Sequence, residues 1–118
     1  FRDSLSIVAA GFNQPIRRLS GGNQQKALFA RCLAAGPSIL LLDEPTHGVD
    51  VRTKGDIYTT VRELAEEGIA VVFVSSELPE ILALASTVMV LAHGRQTLYA
   101  PREGLAENDV LSAAFLHA

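Results

Sequence analysis

Asp43 and Glu44 are adjacent carboxylates placed directly after four aliphatic residues, Ile39 to Leu42. Neighbouring carboxylates can divide labour. One can hold a magnesium ion, often through water, because magnesium favours oxygen ligands and keeps its waters. The other can orient or deprotonate an attacking water. A second group stands earlier, in "LSGGNQQK", Leu19 to Lys26. Ser20 at a helix N-cap, followed by Gly21 and Gly22, leaves backbone N–H groups unpaired at a positive helix end. With no side chains in the way, a phosphate can approach those groups closely. Taken singly, each group also has a plainer reading: a solvated turn after a strand, and a glycine-rich turn that starts a helix.

Several elements must position these groups. Gly21 to Ala35 reads as a helix with Leu28, Cys32 and Ala35 on its inner face and Lys26 and Arg31 toward solvent. Gly36 and Pro37 stop it in the usual order past a helix end. Ile39 to Leu42 is continuously apolar, which predicts a strand buried on both faces of a parallel sheet. Asp50 can cap a helix running to about Glu67, with Ile57, Val61, Leu64 and Ala65 inward and Gly68 ending it. Ile69 to Val74 is a second apolar strand. Ser75 or Ser76 then caps a short helix that tolerates Pro79 in its first turn. Thr87 to Ala92 is a third strand, and His93 to Arg95 a tight turn into a short strand ending near Tyr99. A helix from about Glu107 to Leu116 closes the chain. Phe1 to Arg18 is weakly patterned and reads as a partial helix and a loop. Alternating strands and helices predict an α/β fold with a parallel sheet, whose ligands bind beyond the carboxyl ends of the strands.

The bulk properties narrow the function. A chain of 118 residues, 48% apolar, is sized for one folded core. Its net charge of -3, with scattered Lys and Arg, argues against a nucleic-acid groove. The single cysteine, Cys32, excludes an internal disulfide, fits a reducing compartment and is expected to be a buried core thiol. No apolar run approaches the roughly 18 residues that would span a bilayer. His47, His93 and His117 lack metal-ligand spacing. The N-terminus has neither an initiating methionine nor a signal-peptide pattern, so a piece of a longer chain is expected.

The ordered set "LSGGNQQK", helix, "LLLDEPT", "GVD" resembles the second half of the nucleotide-binding domain of an ABC transporter ATPase. "LSGG" is similar to the family's signature motif, at the start of a helix over about 20–35. "ILLLDEP" is similar to its Walker B segment, about 39–44, and "HGVD" at 47–50 to its D-loop. The region 74–80 takes the place of its switch region. Asn23, where the commoner pattern has Gln, together with "GVDV" and "SSELPE", is similar to bacterial importers of ribose, xylose and galactose.

The resemblance implies a partial P-loop NTPase fold, ATP and magnesium as cofactors, and transport-coupled hydrolysis that powers sugar import. It implies Glu44 as the catalytic residue and Asp43 as a magnesium ligand through water. Ser20, Gly21 and Gly22 would meet the γ-phosphate of a nucleotide held by a second nucleotide-binding domain, and Asp50 would lie at the interface between the two. Ser76 falls where the family has its switch histidine, as expected of the second ATPase domain of a tandem chain. No Gly-x-x-x-x-Gly-Lys-Ser/Thr loop occurs here, so that half is expected upstream of Phe1, and the fragment alone is expected to be inactive. The implied partners are transmembrane permease subunits and, indirectly, a periplasmic sugar-binding protein, with no nucleic acid. The implied location is peripheral, on the cytoplasmic side of the bacterial inner membrane. Two alternatives stand beside this reading: an ABC-class ATPase of DNA repair or translation, and a degenerate, non-hydrolytic scaffold domain.

Overall fold

A computed structural model describes residue 11 and residues 13–116. The chain divides into two compact units, the first ending at Val74 and the second beginning at Ser75.

In the first unit a 3-10 turn, Ile16–Arg18, precedes helix α1, Gly21–Ala34. Strand β1, Ile39–Asp43, helix α2, Val51–Glu66, and strand β2, Ala70–Val74, follow. β1 and β2 pair in parallel, with Leu40 beside Val71 and Asp43 beside Val74. This is the strand–helix–strand unit expected from the apolar runs, and it brings both strand ends to one edge. α2 starts on the Asp50 cap and stops where Gly68 takes φ 97, a conformation glycine adopts without strain.

Phe29, Leu40, Ile57 and Val61 form the core, with Ala30, Leu33, Leu42, Leu64, Ile69 and Val71 packed around them. Burial of each large apolar side chain contributes about 1.5–3 kcal/mol. An ion pair with an exposed partner contributes roughly 0–1 kcal/mol, so the apolar cluster holds this unit together.

Four sequence expectations are corrected here. Leu28, Cys32 and Ala35 are exposed, and the inner face of α1 is Gly22, Lys26 and Phe29. Both sets have helical spacing, and the bulk of Phe29 decides which one turns inward. Lys26, expected in solvent, is buried and paired with Asp56. On α2, Ile57 and Val61 are buried as expected, whereas Ala65 is exposed. The strands are not covered on both faces: Leu40 is buried, while Ile39, Leu41, Val72 and Val74 are exposed, Leu41 to 74%. The alternation follows from the pleat, since only one face of the pair meets α1 and α2 residues.

The second unit contains α3, Leu78–Leu84, β3, Thr87–Ala92, β4, Arg95–Pro101, and α4, Glu107–Ala114. β3 pairs with β4 in an antiparallel hairpin rather than extending a parallel ladder. His93 and Gly94, at φ 50 and φ 75, form its two-residue turn, which matches the right-handed twist of the strands. Val88, Val90, Val110 and Ala113 make its core. Thr97 Oγ1 donates to Ala113 O at 2.8 Å, and Arg102 reaches Leu82 O and Leu105 O, tying helices to hairpin. Among the described residues no helix is long and apolar enough to cross a membrane.

Candidate functional site

Ser20 caps α1. Its Oγ accepts from Asn23 N at 3.2 Å and from Asn23 Nδ2 at 2.9 Å, while its carbonyl accepts from Gln24 N at 2.8 Å. With both acceptor positions on Oγ engaged, its hydrogen remains available to donate outward. Gly21 is exposed, and a side chain built there would meet only Gly48 O, at 4.0 Å. Gly22 is different. It is buried, and a Cβ there would lie 2.7 Å from Thr53 Oγ1. The start of α1 therefore presents a neutral hydroxyl, an open backbone and the positive end of a helix.

Asp43 is the last residue of β1 and is exposed; Glu44 follows it and is half-buried. Glu44 sits at φ 46, a left-handed conformation uncommon outside glycine. Its N–H donates to Val74 O at 2.8 Å and its carbonyl accepts from His47 N at 3.1 Å, which fixes the backbone as it leaves the sheet. Pro45 and Thr46 behind it are buried. Pro45 O accepts from Gln25 Nε2 at 2.9 Å, so the loop after β1 is bonded to α1.

Asp50 caps α2, with Oδ1 accepting from Thr53 N at 2.7 Å. The bonds from Thr53 hold its carboxyl below the ordinary aspartate range, and Lys26 adds a weaker pull in the same direction. Lys26 Nζ in turn lies 2.6 Å from Asp56 Oδ2. The structure thus gathers Ser20, Gly21, Gly22 and Asp50 around the adjoining starts of α1 and α2. It connects Asp43 and Glu44 to α1 through Pro45 and Gln25. Ser76 belongs to the second unit and is exposed; the hydroxyl that accepts from Glu77 N, at 3.0 Å, is that of Ser75.

Sequence reasoning missed Gln25, Lys26, Thr53 and Asp56. The spacing 22, 25, 26 marks one face of α1, but nothing in the string says what that face meets. His117 lies outside the described residues. Among the described residues no group of three or more His, Cys, Asp or Glu side chains could hold a metal ion. A magnesium ion at Asp43 would take its remaining oxygens from water and phosphate, as magnesium commonly does.

The fold and the motifs have counterparts among known proteins. An inward-facing ABC transporter of the metal-chelate type superposes with a TM-score of 0.78 at 26% identity, over 86% of this chain and 41% of that one. The post-hydrolysis dimer of the ATP-binding cassette MJ0796, bound to ADP and Pi, superposes with a TM-score of 0.76 at 28% identity, over 87% and 44%. The architecture is therefore that of an ABC ATPase domain, a P-loop NTPase fold. The ABC transporter family model matches residues 4–47. A ribose import ATP-binding protein of Corynebacterium glutamicum is 49% identical over 95% of this chain and 21% of its own length. An arabinose import ATP-binding protein of Ralstonia nicotianae is 53% identical over 93% and 22%. A xylose import ATP-binding protein of Burkholderia ambifaria is 49% identical over 97% and 22%. Sequence and fold together place this chain among the ABC transporter ATP-binding domains. It spans about a fifth of the length of these curated relatives.

Proposed function

We propose that this chain is the carboxyl-terminal part, 1–118, of a nucleotide-binding domain whose ATP hydrolysis powers sugar import. In this reading α1 carries the signature, β1 and Glu44 the Walker B segment, and 47–50 the D-loop, with 74–80 as the switch region. One observation carries the reading: Glu44 holds a left-handed backbone directly past the carboxyl end of a parallel strand. Such a conformation costs on the order of 1–3 kcal/mol outside glycine. Among the described residues the other non-glycine residue at positive φ, His93, is accounted for by its hairpin turn. Glu44 lies in no hairpin, and glycine would relieve the strain. The retained carboxylate, at the edge where α/β folds take their ligands, indicates chemistry.

Bound ATP would supply the phosphoryl group, and magnesium would neutralise developing charge. Asp43 would hold the metal through its waters. Glu44 orients the attacking water and accepts its proton. Ser20 donates its free hydrogen, and the N–H groups of Gly21 and Gly22 donate beside it, to the γ-phosphate of a nucleotide held by a second nucleotide-binding domain. Asp50 lies at the interface between the two domains. Ser76, in place of a histidine, makes the local site the slower of the pair. Permease subunits, and through them a periplasmic sugar-binding protein, are the partners that turn this cycle into transport. Ribose, arabinose and xylose import in the relatives supports a monosaccharide cargo and a peripheral place on the cytoplasmic face.

The test is Glu44→Gln in the complete polypeptide. ATP binding should persist while turnover at the local site falls roughly 10²–10⁴-fold. Unchanged phosphate release from that site would refute the assignment.

A further inference from the structure

Gly21 and Gly22 are neighbours with different surroundings. Gly22 has no positive φ to explain it, and inside a helix glycine is less favourable than alanine by up to about 1 kcal/mol. Its reason is contact: an added Cβ would lie 2.7 Å from Thr53 Oγ1, 3.0 Å from Cγ2 and 3.2 Å from Cβ. Cβ is fixed by the α2 backbone and both γ positions nearest the glycine are filled by a stiff β-branched side chain, so the neighbour has little room to give. The N–H of Thr53 also donates to Asp50 Oδ1 at 2.7 Å. Gly22, Thr53 and Asp50 thus form a continuous contact from one helix start to the other.

Two more points lie on the same face of α1, at i+3 and i+4 from Gly22. Gln25 Nε2 is bonded to Pro45 O at 2.9 Å, and Lys26 Nζ to Asp56 Oδ2 at 2.6 Å. Three contacts at different places hold a helix against both translation and rotation. They join α1 to the loop that follows Glu44 and to α2.

We propose that Gly22 and Thr53 are positioning residues: their close contact locks the Ser20 end of α1 to the 44–50 loop and the start of α2, so that a phosphate held at Ser20 and the carboxylate at Glu44 report to one rigid body. The proposal rests on the nucleotide reading above. It gives glycine at 22 a different reason from glycine at 21. At 21 the bare backbone leaves room for an anion; at 22 it leaves room for Thr53.

A mutant cycle in the complete polypeptide tests this, with kcat, KM for ATP and melting temperature measured for each variant. Gly22→Ala should lower kcat at least tenfold, well below its melting temperature, with KM within about twofold, because α1 is displaced and not stripped of its N–H groups. Thr53→Ala alone should cost no more than a few-fold, because its backbone N–H still donates to Asp50 Oδ1. The pair Gly22→Ala/Thr53→Ala should recover most of the way to the level of Thr53→Ala, since it removes the 2.7 and 3.0 Å contacts and keeps only the 3.2 Å contact with Cβ. A pair as impaired as Gly22→Ala alone would mean that the glycine serves phosphate approach directly, and would overturn the proposal. So would a Gly22→Ala protein that melts lower but keeps its kcat, since that is a purely structural role. An unmodified polypeptide without ATP turnover would overturn the nucleotide reading and the positioning role with it. In that case the same cycle read in melting temperature still shows whether the contact exists.

Discussion

The starts of α1 and α2 use the same capping geometry with opposite electrostatic consequences. Each has a side-chain oxygen that accepts the N–H three residues on: Ser20 from Asn23 at 3.2 Å, and Asp50 from Thr53 at 2.7 Å. Serine is neutral, so the positive end of α1 stays available to an anion and the hydroxyl keeps a hydrogen to donate. Aspartate carries a charge that compensates the end of α2 and discourages a second anion beside it. The two ends touch through Gly22 and Thr53, and in the function proposed above only the α1 end takes phosphate. In that reading cap identity, at little difference in helix stability, decides which helix start binds.

The comparison can be broken most sharply by making α1 begin as α2 does. In Ser20→Asp the cap is retained, because serine and aspartate cap about equally well, so the melting temperature of the complete polypeptide should hardly move. A carboxylate would then face the phosphate. At a separation near 4 Å a like-charge contact at the surface costs roughly 1–4 kcal/mol, so ATP affinity at that site should fall about 10²-fold. Equilibrium binding measures this. An affinity unchanged in Ser20→Asp would show that no phosphate sits at α1.

A smaller effect separates charge from capping on α2. The hydrogen bonds from Thr53 hold the Asp50 carboxyl below its ordinary value. A folded value below the unfolded one means that the cap stabilises fully above the unfolded value. That contribution is lost as pH falls through the folded value. The first turn of α2 should therefore loosen only below about pH 4, the ordinary aspartate region, and be insensitive to pH above it. The Thr53 amide resonance followed against pH reports this. In Asp50→Asn, which caps without titrating, the acid transition at Thr53 should disappear. A transition that persists belongs to another group.

The smallest effect concerns Asn23. Its Nδ2 donates to Ser20 Oγ, but its backbone N–H donates there as well. Asn23→Ala removes the first bond, keeps the second and should cost roughly half a kcal/mol in thermal or denaturant unfolding. ATP affinity should fall by no more than a few-fold, because the Ser20 hydroxyl keeps its outward hydrogen. A loss as large as that in Ser20→Asp would mean that Asn23 itself contacts the ligand.

Local chemistry made much of this protein legible in its sequence. The Ser20 and Asp50 caps, the stop at Gly68, the apolar runs at 39–42 and 69–74 and the turn at His93–Gly94 each depend on residues within a few positions of one another. Backbone preferences act over that range. The parallel β1–β2 pair followed from those runs and the helix between them.

Tertiary contact decided the rest. α1 has two stripes with helical spacing, and only packing against Leu40, Ile57 and Val61 selects Phe29 over Leu28 and Cys32. Lys26 reads as a solvent residue until α2 supplies Asp56 thirty positions later. "ILLL" reads as covered on both sides, yet burial depends on what lies over each face of the pleat, and in this chain one face of β1 and β2 is exposed. Gly21 and Gly22 are identical as letters. One has only Gly48 O near it, at 4.0 Å, and the other Thr53, a difference set by the approach of two helices and not by any property of glycine.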